Sequence, residues 1–223
     1  MELFRSSLKY VRESEGSRLM PIPTGWRRFE RPLLAALLVI LPFGVFFWLT
    51  PFLGKLTLGN DYPVYSIWWQ LELQYSLHHG TFPLYAPGFA GGQSASALTL
   101  GQLFHPLPHI AAQLPGYWQG NALEWSTFLR LIMLGMAQAG LFFLLRRASL
   151  SRLAAFILSF SAVYNLRMLD MFRYGASLEN YTGFLYLVTA MGWYWFRPAG
   201  VAGPAFMILA TYLLVCGGHP QMM

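Results

Sequence analysis

Charged residues are scarce in this chain. Only 11% of its 223 residues are Asp, Glu, Lys or Arg, and 56% are hydrophobic. A soluble domain carries about 25% charged residues. So few charges cannot cover a water-facing surface of this size, which excludes an ordinary soluble globular domain and predicts a membrane protein.

Cysteine is almost absent too. The single Cys216 lies inside an apolar run, which excludes a disulfide within the chain and a thiolate metal site. The net charge of +6 does not indicate a nucleic-acid partner, because the basic residues cluster where they suit the cytoplasmic side of a bilayer. These clusters are Arg27, Arg28 and Arg31 near the N-terminus, and Arg146, Arg147 and Arg152 in one short loop.

Apolar runs set the predicted fold class. A helix that crosses a bilayer needs roughly 20 mainly apolar residues. Five runs approach this length, so we expect an all-α, polytopic transmembrane bundle over residues 32–223, after a cytoplasmic tail over 1–31. The predicted spans are 32–53, 127–145, 153–166, 181–196 and 201–217.

The basic loops orient the predicted bundle. With the N-terminus inside, the arginines before the first run, between the second and third, and after the fourth (Arg197) all lie in the cytoplasm. The outer side then holds the long loop 54–126, the loop 167–180 and the "GGHPQ" that ends the fifth run. Most polar residues that could perform chemistry therefore share the outer side.

The outer loop 54–126 is predicted to contain helices of its own. Apolar residues at 64, 67, 68, 71 and 75 have helical spacing, while Ser66, Gln70, Gln74 and His78 form another face, as in a helix lying on a membrane surface. "HHGTFPLYAPGFAGGQS" predicts an ordered irregular loop. The prolines of "FHPLPH" exclude the interior of a regular helix.

Several polar residues allow two interpretations. Asp61, just before Pro63, is either a helix cap or a catalytic carboxylate. The pairs His78–His79 and His105–His109 are either loop residues or metal ligands.

The segment "RMLDMFRYGASLEN" is similarly open. With Arg167, Asp170, Arg173 and Glu179, it is either a solvated loop or a site for an anionic headgroup. In "GGHPQ", a helix cap explains the glycines and Pro220 but not His219 or Gln221.

Three motifs together resemble a known family. "DYPVYSIWWQ" follows the first apolar run, "HHGTFPLYAPGFAGG" is similar to a G-x-x-P-x-(W/Y)-x-P-x-x-x-G-G pattern, and "GGHPQ" ends the fifth run. The chain thereby resembles the YfhO-like bacterial membrane proteins of the GT-C glycosyltransferase class over residues 30–223. The resemblance implies a multi-pass protein of the bacterial cytoplasmic membrane. Because members have more helices, it also implies that this chain is the N-terminal part of a longer protein or a truncated gene product.

The resemblance also implies a reaction, in which a sugar moves from a polyprenyl-phosphate donor to an acceptor on the outer face. Asp61 would be the catalytic base, with Glu179 as a second acidic candidate. The resemblance fixes no cofactor, and either cationic side chains or a divalent metal would stabilise the leaving phosphate. Arg167 and Arg173 would hold the lipid phosphate, and Gln70, His219 and Gln221 would line the sugar site. The alternatives are a glycolipid transporter or flippase and a non-catalytic assembly subunit.

Overall fold

The structure is a computed structural model that describes residues 26–53, 68–81, 85–86, 93–94, 104–165, 175–196 and 201–217. The all-α class is confirmed, with one short two-stranded antiparallel ribbon in which Tyr85 lies opposite Ser94. The ribbon consists of β1 (Tyr85–Ala86) and β2 (Gln93–Ser94). The helices are α1 (Trp26–Leu53), α2 (Trp68–His78), α3 (Pro106–Ala111), α4 (Ala122–Arg147), α5 (Arg152–Val163), α6 (Gly175–Phe196) and α7 (Ala202–Cys216).

Helix α4 is the centre of the bundle and packs against α1, α5 and α6. It runs antiparallel to α1, since Phe43 meets Phe128 with ring centroids 5.2 Å apart while Val39 meets Gly135 further along. A Cβ atom at Gly135 would lie 2.3 Å from the Val39 carbonyl oxygen. Only glycine therefore allows the two backbones to approach this closely.

Helix α6 runs parallel to α4. The Tyr186 hydroxyl donates to the Met133 carbonyl oxygen at 2.6 Å, and further along the same pair Gly192 faces the Leu144 side chain. Helix α7 then returns antiparallel along α6, with Gly183 against the backbone of Leu214. The start of α6 therefore lies beside the end of α7.

A tight turn joins α4 to the antiparallel α5. Ser149 adopts a positive φ of 68°, and the Ser151 side chain caps α5 by accepting from the Ala154 N–H at 3.2 Å. This turn carries Arg146, Arg147 and Arg152. We call this end of the bundle the arginine end, and the opposite end, where α4 and α6 begin and α7 finishes, the Glu179 end.

Five of the helices match the five predicted runs in position but not in length. In the described part of the chain, one segment, Tyr117–Arg147, is long and apolar enough to cross a membrane. Helix α5 has 12 residues, which extend about 18 Å against a hydrocarbon core of about 30 Å. The finding does not support five membrane crossings.

One prediction for the outer loop was wrong. Gln74, placed on the polar face of its helix, is buried and donates to His109 Nδ1 at 3.1 Å, while Tyr75 is exposed. The prolines of "FHPLPH" lie outside a helix interior, as predicted, because Pro106 and Pro108 are in the first turn of α3. Pro106 is at the first position of α3 after the His105 cap, where its missing N–H leaves no helical hydrogen bond unmade.

The outer surface of the bundle is apolar. Trp195 and Val201 are more than 80% exposed, and Leu153 and Ile208 about 70%. Further exposed aliphatic and aromatic side chains lie along α1, α5, α6 and α7. Soluble monomers rarely expose apolar surface this continuously.

Candidate functional site

A buried ion pair joins the two parallel helices at the Glu179 end. Arg130 is in the third turn of α4 and Glu179 in the second turn of α6, and each is 1% exposed. The Arg130 guanidinium contacts the Glu179 carboxylate through Nη2 and Oε1. Because removing either partner would leave the other charge buried without compensation, the contact ties α4 to α6 at this level.

His105 is the third member of the cluster. It is fully buried, and its Nδ1 lies 3.9 Å from Glu179 Oε2. The same Nδ1 accepts the Leu107 N–H at 3.3 Å, so the neutral ring carries its proton on Nε2. Nε2 is buried and has no hydrogen-bond partner among the described residues. Its N–H is therefore left as a donor at the Glu179 end.

The end of α7 lies against the start of α6 next to this cluster. A Cβ atom at Gly217 would lie 2.1 Å from Asn180 Oδ1 and 2.7 Å from the Asn180 backbone nitrogen. Only glycine fits there. Gly217, the last residue that the structure describes before His219, therefore packs against the residue that follows Glu179.

An open groove of about 700 Å³ lies at the same end, between α2, α3 and α7. Its walls are mainly apolar, with His109, Gln113 and Tyr212 as polar groups. The Tyr212 hydroxyl donates to the Phe104 carbonyl oxygen and so ties α7 to the residue before His105. The groove and the buried cluster are thus connected through adjacent residues of one chain segment.

A second buried polar group lies deeper in α4. Gln138 is fully buried, and neither of its amide atoms has a hydrogen-bond partner among the residues that the structure describes. A buried amide without a partner costs roughly 1–3 kcal/mol in protein interiors. Its presence inside an apolar helix is therefore unexplained by packing.

Glu179 is the one predicted site residue whose side chain the structure describes. It was expected in the outer loop before the fourth span, but α6 begins at Gly175, so Glu179 is helical, buried and paired. Gln70 is in α2, with its side chain outside the described part. The other predicted site residues also lie outside the described ranges: Asp61, Arg167, Arg173, His219 and Gln221.

Sequence reasoning considered His105 only as a loop residue or a metal ligand, and it gave Arg130 no role in the site. Arg130 was visible as a charge in an apolar run, a signal that marks functional positions in membrane segments. His105 had no such signal, because a histidine next to prolines is common in loops. Across the described residues, groups of three or more potential metal ligands are absent.

The arrangement combines two features. Arg130 supplies N–H groups to a single carboxylate beside the buried His105 ring, and the adjacent groove has mainly apolar walls with a few polar groups. No protein-family model, curated protein or solved structure matches the chain.

Proposed function

We propose that this chain is a membrane glycosyltransferase, or the N-terminal portion of one. It transfers a sugar from a polyprenyl-phosphate donor to an acceptor on the outer face of the bacterial cytoplasmic membrane. The three motifs that resemble YfhO-like proteins supply the reaction. The structural observation that carries the proposal is the groove at the Glu179 end, because an apolar channel with a few polar groups suits a lipid-linked substrate.

The proposal includes a multi-pass topology with a cytoplasmic N-terminus. Support comes from the apolar outer surface, which a bilayer would cover. The helix directions also support it, since α1 and α4, α4 and α5, and α6 and α7 are antiparallel whereas α4 and α6 are parallel. Successive crossings would produce this order.

In the proposed reaction Asp61 accepts the proton of an acceptor hydroxyl while the hydroxyl oxygen attacks the anomeric carbon. The bond between the sugar and the phosphate oxygen breaks, and the lipid phosphate leaves with the bonding electrons. Arg167 and Arg173 stabilise this phosphate. Gln70, His219 and Gln221 bind the sugar.

Glu179 fits a positioning role better than the role of base. Its carboxylate contacts Arg130 and is 1% exposed, so an acceptor hydroxyl cannot reach it without breaking the pair. By holding the start of α6, it would position the segment that carries Arg167 and Arg173.

The test uses membranes containing the full chain and a labelled polyprenyl-phosphate sugar. Asp61→Asn should lower transfer of label at least about a hundredfold, the contribution of a general base. Asp170→Asn is the matched control, since it makes the same change in the other outer segment. If Asp61→Asn retains transfer at the level of this control, Asp61 is not the base.

A second candidate is a glycolipid transporter. The buried Arg130–Glu179 pair and the buried Gln138 favour it, because polar groups inside membrane helices mark substrate pathways. Movement of the labelled lipid across the bilayer without transfer of its sugar would support the transporter and contradict the enzyme.

A further inference from the structure

A second groove, of about 750 Å³, lies between α1 and the first turns of α4. Phe43, Phe46, Phe128 and Leu131 form its apolar part. At Gly44, which also lines it, an added Cβ would meet nothing within 4 Å. Glycine here is not required by close helix packing, unlike Gly135, and leaves the groove open.

The polar rim of this groove is built at the Glu179 end. Asn121 and Glu124 are exposed, and Trp125 is fixed because its Nε1–H donates to the Pro115 carbonyl oxygen at 2.7 Å. The Trp125 ring is perpendicular to Phe128, with centroids 5.8 Å apart. The rim therefore combines a carboxylate, an amide and a rigidly held aromatic ring.

Thr127 gives the independent sign of a ligand. It lines the groove and is 3% exposed, and its Oγ1 has no hydrogen-bond partner among the described residues. Glu124 alone has an ordinary explanation, since an acid in the first turn stabilises a helix N-terminus. That explanation covers neither the unpartnered hydroxyl nor the open space at Gly44.

We propose that this groove binds a membrane glycolipid with an uncharged sugar headgroup. The lipid chain lies along the phenylalanines, its polar linkage reaches the Thr127 hydroxyl, and the sugar hydroxyls meet Glu124 and Asn121. Binding is independent of the proposed sugar transfer; a role for this lipid as the acceptor rests on that function.

The charge of the groove lining favours a glycolipid with an uncharged headgroup. Glu124 is the charged side chain among the described residues that line the groove, and a carboxylate repels a lipid phosphate while it accepts hydrogen bonds from sugar hydroxyls. A polyprenyl phosphate or an anionic phospholipid is therefore disfavoured. Diacylglycerol has one hydroxyl, too few to bind both Glu124 and Asn121, which favours a sugar.

The experiment measures binding to the purified full chain in detergent by competition against a photoreactive monoglycosyl diacylglycerol. Unlabelled monoglycosyl diacylglycerol should compete at least about tenfold better than phosphatidylglycerol or diacylglycerol of the same chain length. Equal competition by phosphatidylglycerol would overturn the charge argument, and equal competition by diacylglycerol would overturn the sugar assignment.

Variants locate the site. Gly44→Phe fills the groove and should reduce photolabelling at least about tenfold, whereas Leu33→Phe, an exposed position on the same face of α1, should not. Thr127→Val should lower affinity about fivefold by removing one hydrogen bond. Gly44→Leu, a smaller addition, provides a second variant if Gly44→Phe unfolds.

Glu124→Gln separates charge from hydrogen bonding. It should raise competition by phosphatidylglycerol several-fold while the glycolipid still binds, because the amide keeps hydrogen-bonding groups but not the charge. Labelling unaffected by Gly44→Phe and Gly44→Leu would mean that the lipid binds elsewhere. Loss of glycolipid binding in these variants with sugar transfer intact would separate this site from the transfer reaction.

Discussion

Arg130 and Glu179 depend on each other because both are almost completely buried. Removing one partner of a buried ion pair leaves an uncompensated charge, whereas replacing both with apolar groups removes that cost. Mutating the pair therefore tests whether water is excluded from the Glu179 end of the bundle.

Arg130→Met or Glu179→Leu alone should destabilise the protein by about 3–5 kcal/mol. The double variant should lose less than either single one. Thermal unfolding in detergent, with all four proteins compared in a double-mutant cycle, gives the coupling. Additive losses would mean that the two charges do not interact.

For Gln138 we expect the opposite effect, a gain in stability when the polar side chain is replaced. Since both amide atoms lack a hydrogen-bond partner among the described residues, Gln138→Met should stabilise the protein by about 1–2 kcal/mol. Gln74→Met is the matched control and should destabilise it, because the buried Gln74 donates to His109. A fall in melting temperature for Gln138→Met would contradict the geometry. A stabilised variant with impaired sugar transfer or lipid movement would assign Gln138 a functional role.

The partner of a buried residue could not be predicted from the sequence. The composition around Glu179 predicted an acid on the outer side, but not its partner. Arg130 lies 49 residues earlier (179 − 130) on another helix. Such pairing depends on which helices are neighbours, and periodicity within one segment does not contain that information.

At the scale of elements, close helix contacts depend on glycine. A Cβ at Gly135 would overlap the Val39 backbone, and one at Gly183 would lie 2.6 Å from Leu214 Cα. Backbone atoms cannot move aside as a side chain can. These contacts therefore define how α1 and α7 pack on their neighbours.

Gly135→Ala should destabilise the protein by at least about 2 kcal/mol, because the helices must separate. Gly44→Ala is the control in α1. It should stabilise by up to about 1 kcal/mol, since alanine is the better helix former and the position is open. Melting temperatures in detergent measure both. Similar values for the two variants would contradict the close approach of α1 and α4.

Helix positions were predictable from apolar runs, but helix ends were not. The predicted fourth run begins at residue 181 and leaves out the polar residues before it. In the structure α6 begins at Gly175, and the helix includes Glu179 because this residue is buried and paired. Similarly, the prolines of "FHPLPH" were predicted only to exclude a helix interior, and the start of α3 at Pro106 was not predicted. A polar residue near a helix start is tolerated when it has an ion-pair or hydrogen-bond partner. A proline is tolerated at the first helical position, where its missing N–H breaks no helical hydrogen bond.

For the whole molecule, the proposed topology combined with the helix directions predicts which surfaces share a side of the membrane. In a background with Cys216→Ser, a cysteine at exposed Gln119 should react with an impermeant maleimide from outside intact cells. Ser149→Cys at the arginine end should react only after permeabilisation. Reaction of both from the same side would contradict the predicted topology. Cysteines at 61, 173 and 219 extend the test to the predicted site.

The parallel arrangement of α4 and α6 has a consequence for biogenesis. A ribosome adds about 5–20 residues per second, so Arg130 emerges roughly 2–10 seconds before Glu179. In the proposed membrane topology, a newly inserted α4 carries an arginine without its carboxylate during that interval, which favours a shallow position with the guanidinium at the lipid headgroups. In that topology α4 reaches its final depth only after α6 is synthesised, and translation stalled between these residues should leave α4 open to extraction.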